Sequence, residues 1–154
     1  MTIKAKDIIS NRLFTISPEA SISQALAVFK EKRIRHIAVA NEFNLIVGVL
    51  SHRDIMNINV PELTTVASCM SFPVEHINQK ESLRPVIYKM LEMKISSLIV
   101  VDDDKSATGI VTTDDLLWCF AQSLDEKTDN KTMISAKSLQ VIGDVVNKLS
   151  LVGI

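Results

Sequence analysis

The sequence predicts an α/β (α+β) fold: two tandem copies of one strand-helix-strand-strand-helix unit, followed by a helical tail. Three observations predict it. Residues 3–56 lie on residues 64–117 at a constant offset of 61 with no gap, and eight of the 54 positions are identical: Ser10, Ile16, Ser21, Glu31, Ile34, Val39, Gly48 and Asp54 with their partners. The apolar pattern repeats at the same offset, as in Ile22/Leu83, Leu26/Ile87, Phe29/Met90, Ile37/Leu98 and Val49/Ile110. Helix-start signals recur at matching places, Ser21 against Ser82 and Ser51 against Thr112. A fixed repeat of this length marks a duplicated supersecondary unit.

Each element follows from local chemistry. Leu13 to Ile16 is a short extended stretch. Ser21 with Gln24 three residues on is a capping box, and Ile22, Ala25, Leu26 and Phe29 then recur at helical spacing. Residues 36–40 and 45–50 read as strands around the turn Asn41 to Asn44. Ser51 and Asp54 form a second capping box that opens another helix. In the second copy Ser82 starts a helix, with Pro85 tolerable in its first turn. Residues 97–101 and 107–111 are strands around the polar turn Asp102 to Lys105, and Thr112 with Asp115 starts the last helix. These readings divide the chain into residues 1–60, 61–122 and a tail, 123–154. The repeat pattern itself stops near residue 117. In the tail Leu139, Ile142, Val146 and Leu149 form an apolar helical face, either covering this chain's own core or meeting a dimer mate or partner. About 60 residues bury too little surface alone. The two copies are therefore expected to pack on each other with pseudo-twofold symmetry, leaving two related clefts at the junction, a usual place for ligands.

Composition excludes several function classes. Of 154 residues, 47% are hydrophobic and 23% charged, which is globular and not disordered. Seventeen Lys and Arg against 18 Asp and Glu leave no broad basic surface for nucleic acid. The four glycines form neither G-x-x-x-x-G-K nor G-x-G-x-x-G. Cys69 and Cys119 read as reduced thiols and the three histidines show no metal-ligand spacing. Asp102-Asp103-Asp104 reads as a hairpin turn, lacking the glycine and glutamate of a calcium loop. No signal-like or membrane-length apolar run is present, so a cytoplasmic protein without membrane insertion is expected. With no nucleophile, metal or acid–base constellation, an enzyme is not expected, nor a catalytic cofactor.

The runs Gly48-Val49-Leu50-Ser51-His52-Arg53-Asp54 and Gly109-Ile110-Val111-Thr112-Thr113-Asp114-Asp115 share one pattern: Gly, two apolar residues, Ser or Thr, two free positions, Asp. With Leu13-Phe14-Thr15-Ile16-Ser17-Pro18 and Arg35-His36-Ile37-Ala38-Val39, they make residues 3–120 resemble a tandem pair of CBS (cystathionine β-synthase) domains. The resemblance implies a regulatory module that binds adenosine-type ligands, AMP, ADP, ATP or a related adenosyl compound, and often dimerises. It carries adenine contacts to Thr15, Ile16, Ile37 and Ala38 in one copy and to His76, Ile77, Leu98 and Ile99 in the other. The motif chemistry agrees. A hydroxyl at a helix N-terminus welcomes phosphate, and an Asp one turn in accepts from ribose hydroxyls. The same S-x-x-D is also an ordinary helix cap.

The two copies differ in charge. Residues 3–56 hold eight Lys/Arg and five Asp/Glu, residues 64–117 five and eight. The first copy carries Arg33, Arg35, His36, His52 and Arg53 where the second carries Lys94, Ser96, Ser97, Thr113 and Asp114. In nucleotide-binding relatives, basic residues at the start of the second strand reach phosphates, and Arg35 and His36 stand there. A phosphate-tolerant site at Ser51, Asp54, Arg35 and Arg53 is therefore expected, with the site at Thr112 and Asp115 empty or holding an uncharged nucleoside. Two function classes follow. One is a ligand sensor that signals to an unidentified target protein. The other is a homodimerisation module without ligand.

Overall fold

The chain folds as two copies of one arrangement related by the offset of 61. The computed structural model describes residues 3–9 and 13–125. In the first unit the elements are β1 (Thr15–Ile16), α1 (Ile22–Lys32), β2 (His36–Ala40) and β3 (Ile46–Ser51), closed by a 3-10 turn, His52–Ile55. In the second they are β4 (His76–Asn78), α2 (Leu83–Met93), β5 (Ser97–Val101), β6 (Ala107–Thr112) and α3 (Thr113–Asp125). Each unit has a three-stranded sheet in sequence order, its first pair parallel and its second antiparallel. The registers superpose: Thr15 opposes Ala38 as His76 opposes Ile99, and Val39 opposes Gly48 as Val100 opposes Gly109. Both hairpins carry an irregularity at the same place, Val39/Ala40 and Val100/Val101.

Local chemistry explains the shared details. The Asn41 carboxamide oxygen accepts from the N–H groups of Phe43 and Leu45, and Asp102 does the same for Asp104 and Ser106. Asp102 thus acts as a turn residue, while Asp103 pairs with Lys80. Both α1 and α2 end on a left-handed residue, Arg33 (φ 53°) and Lys94 (φ 55°). Such caps usually use glycine; here they aim the chain from the helix into the second strand.

One expectation is corrected. Ser51 and Asp54 open a single 3-10 turn in the first unit, whereas Thr112 and Asp115 open a 13-residue helix. After Ile55 the sequence runs through Asn57 and Asn59 to Val60-Pro61. Asparagine is a poor helix former, and the residue before proline is pushed out of the α region. In the second unit Leu116, Leu117, Ala121 and Leu124 sustain the helix. Residues 118–125, beyond the sequence repeat, accordingly continue α3. The apolar face of Leu139, Ile142, Val146 and Leu149 lies outside the described residues.

The strands alternate between two buried layers. Ile37 and Val39 pack with Ile22, Ala25 and Phe29 of α1, with Leu50, Ile55 and Val66 completing this core. Ile77, Leu98, Val100 and Val111 pack with Val86 and Met90 of α2 and with Ala5. Between the sheets, Ala38, Ile99 and Ile110 form a third layer with Leu13, Val49 and Val74. That layer joins the units.

The first segment of each copy is exchanged. Ala5 belongs to the first repeat but sits in the second core; Val66, its counterpart, sits in the first. The backbone bonds match: Thr64 accepts from Ile22 N–H (2.9 Å) as Ile3 accepts from Leu83 N–H (3.3 Å), and Val66 donates to Ala20 (2.8 Å) as Ala5 donates to Glu81 (2.8 Å). The Ile22 and Leu83 bonds each satisfy one of the otherwise open N–H groups at the starts of α1 and α2. The exchanged segment then runs along β3, where Ser71 and Val49 share two backbone bonds (2.8 and 3.1 Å). Gly48 makes room for it: a Cβ there would stand 2.4 Å from the Met70 sulfur.

Candidate functional site

At the end of β3 the chain enters the 3-10 turn through Ser51. The Ser51 hydroxyl oxygen accepts from Asp54 N–H and Asp54 Oδ2 accepts from Ser51 N–H, both at 3.3 Å. Asp54 Oδ1 has no hydrogen-bond partner among the described residues. In the second copy, Asp115 Oδ2 accepts from both the N–H and the hydroxyl of Thr112, each at 2.7 Å. Both motifs are thus helix caps, but Asp54 is exposed and holds one donor, while Asp115 is half-buried and holds two.

A cavity of about 140 Å³ opens in front of Ser51 and Asp54. Val49, Pro73 and Val74 give it an apolar wall, and Lys94, Ser96 and Ser97 border it from the α2–β5 junction of the other unit. Glu75, also at its edge, is paired with Lys89 at 2.9 Å. A second cavity of about 220 Å³ shares His36, Ser51, Arg53 and Ser96 with the first and adds Arg35, His52, Met56 and Thr113. The two adjoin as one cleft, the first part walled on one side by Val49, Pro73 and Val74 and the second, its cationic end, bordered by Arg35 and Arg53. An apolar pocket with a few convergent polar groups is the usual form of a small-molecule site.

Two contacts cross the junction here. Arg35 pairs through Nη2 with both carboxylate oxygens of Asp114. His36 Nε2 meets Ser96 Oγ at 2.8 Å. At the offset of 61, Arg35 and Asp114 correspond to Ser96 and Arg53. Arg53 makes no ion pair with a carboxylate among the described residues. Burial pushes the His36 imidazole below the usual histidine range, and the neighbouring Arg35 and Arg53 charges add to this against the opposing Asp114 and Asp54. His36 is neutral at pH 7 and donates no charge to the cleft.

The cleft gathers Ser51, Asp54, Arg53 and His36, with Arg35 at its cationic end but held by Asp114. It does not gather the strand residues. Ile37 and Ile16 pack in the first core, Ile77 and Leu98 in the second, and Ala38 and Ile99 in the layer between sheets. Thr15 and His76 are exposed, and the His76 carbonyl accepts from Lys89 Nζ at 2.9 Å. Thr112 and Asp115 belong to the related position in the second copy. There the counterparts of Ser71 and Pro73 are Ser10 and Arg12, outside the described residues. Val49, Ser71, Pro73, Val74, Lys94 and Ser96 line the cleft without having been singled out from sequence as ligand contacts. The signal for Lys94 and Ser96 was the pseudo-twofold itself, because a cleft at the junction borrows its far wall from the other copy.

Two like α/β units, packed through their sheets with a Ser/Thr-x-x-Asp turn of each beside the junction, define a paired-repeat module. The CBS domain family matches residues 5–60 and 66–121, and the chain belongs to that family as a tandem CBS pair. It is 30% identical over 115 residues to an L-aspartate semialdehyde sulfurtransferase of Methanocaldococcus jannaschii, covering 75% of this chain and 23% of that protein. The chain spans about a quarter of the length of the first curated relatives it matches. Among solved structures it is similar to the CBS domain pair of protein MJ0100 in complex with 5′-methylthioadenosine and S-adenosyl-L-methionine. There the TM-score is 0.73 and the identity 28%, covering 80% of this chain and 99% of that one. It is also similar to CBSX2 in complex with AMP, with a TM-score of 0.67 and 25% identity over 77% and 96% of the two chains. No helix among the described residues is long and apolar enough to cross a membrane.

Proposed function

We propose that the chain binds an adenosine-type nucleotide, of the AMP, ADP or ATP class, at Ser51 and Asp54 and signals the occupancy of that cleft to a partner protein. The observation that carries this reading is the exposed Asp54, its Oδ1 without a partner among the described residues, at the boundary between an apolar wall and a cationic end. The base packs against Val49 and Val74, the ribose hydroxyls donate to Asp54, and the phosphate meets Arg53 and Lys94. The adenosyl ligands in the two similar structures support the same ligand class. In the second copy, Asp115 is half-buried and holds two donors on Oδ2, its Oδ1 likewise without a partner among the described residues; Asp114 beside it disfavours phosphate, so its site takes an uncharged nucleoside or nothing.

Isothermal calorimetry with AMP tests this. Charged hydrogen bonds are worth about 1.5–3 kcal/mol, so Asp54→Ala weakens binding by about tenfold or more, while Asp115→Ala leaves it nearly unchanged. Loss of binding in Asp115→Ala with retention in Asp54→Ala would overturn the assignment. A second reading, a homodimer scaffold without ligand, is favoured by Leu117 (49% exposed) and Trp118 (71%) on α3. It forecasts no heat with any adenosyl compound.

A further inference from the structure

The cationic end of the cleft holds a second arginine beside Arg53. Beyond Ser51 and Arg53 the cavity continues to Arg35, His52 and Thr113. Arg35 belongs to the first unit and its partner Asp114 to the second. Their side chains are 60% and 46% exposed, so water and salt weaken the pair. Asp114 is the second residue of α3, where the helix N-terminus favours a carboxylate even without a cation. It can therefore release Arg35 at small cost. A phosphate group offers Arg35 the same two-oxygen geometry with more charge.

We propose that Asp114 gates a polyphosphate subsite: a ligand with two or three phosphates takes Arg35 from Asp114, whereas a monophosphate stops at Arg53. The nucleoside half of that ligand rests on the function proposed above; the subsite does not. The exchange also removes an ion pair between the units, so the length of the phosphate chain is read at the junction. At the matching position the pair is Ser96 and Arg53, which has no acid to exchange. The gate is one-sided.

Adenosine and inorganic tripolyphosphate are the two probes, each titrated by calorimetry into wild type, Asp114→Asn and Arg35→Gln. Adenosine tests the nucleoside reading alone. Tripolyphosphate tests the subsite whether or not a nucleoside binds. Asp114→Asn should bind tripolyphosphate about fivefold tighter, the scale of an exposed ion pair, and Arg35→Gln should bind it correspondingly weaker. ADP and ATP should follow tripolyphosphate, and AMP should change by less than about twofold across the three proteins. Equal tripolyphosphate affinity in all three, or no binding in any, overturns the gate. Failure of adenosine alone overturns only the nucleoside reading.

Discussion

Asp54 and Asp115 stand at matching positions and differ in what their oxygens already hold. One donor sits on Asp54 Oδ2 and two on Asp115 Oδ2. The difference traces to hydroxyl orientation: Thr112 donates to its aspartate, whereas Ser51 only accepts. His36 is the other residue whose environment sets its chemistry. Its folded pKa lies below the ordinary 6.5, chiefly through burial. The unfolded chain then binds more protons than the folded one between those two values, and stability falls as pH drops through about 6.5. His36→Gln can keep a hydrogen bond to Ser96 and removes the titration. The melting temperature of wild type should therefore fall faster than that of His36→Gln between pH 7.5 and 5. Parallel curves would show that burial of His36 costs nothing.

At the scale of elements, α1 and α2 begin alike in sequence and differently in structure. Ser21 accepts from Gln24 N–H at 3.2 Å and closes a full capping box. Ser82 makes no side-chain cap, because three residues on stands Pro85, which has no N–H to give. Ser21→Ala should cost about 1 kcal/mol and Ser82→Ala only a few tenths, measured by urea unfolding. Equal costs would contradict this. Pro85 was visible in the sequence, so the missing cap was legible in principle. So were the hairpins, because Asn41 and Asp102 begin them at the same offset. The short second helix of the first unit was not anticipated, since its capping box is intact and only Asn57, Asn59 and Pro61 beyond it stop the helix. Local signals state where an element starts better than how far it runs.

For the whole molecule, the constant offset gave the repeat, and the repeat implied a junction with related clefts. What no periodicity carries is which copy a segment docks on. Ala5 and Val66 fit either core by character, and their exchange comes with backbone bonds to the segments that lead into α2 and α1. The same holds for Arg35 and Asp114, 79 residues apart, whose pairing places an expected phosphate ligand in a contact across the junction. The cleft wall follows from the exchange too, because the segment running along β3 delivers Ser71, Pro73 and Val74 to the front of Asp54. The nucleotide proposed for this cleft should therefore touch both units at once. The most direct test is the amide NMR spectrum on titration with AMP. Shifts should concentrate at Val49, Ser51, Asp54, Val74 and Lys94 to Ser97, on both sides of the junction. Shifts confined to Leu13 to Ile16 and Thr112 to Asp115, with the Asp54 cleft silent, would contradict it.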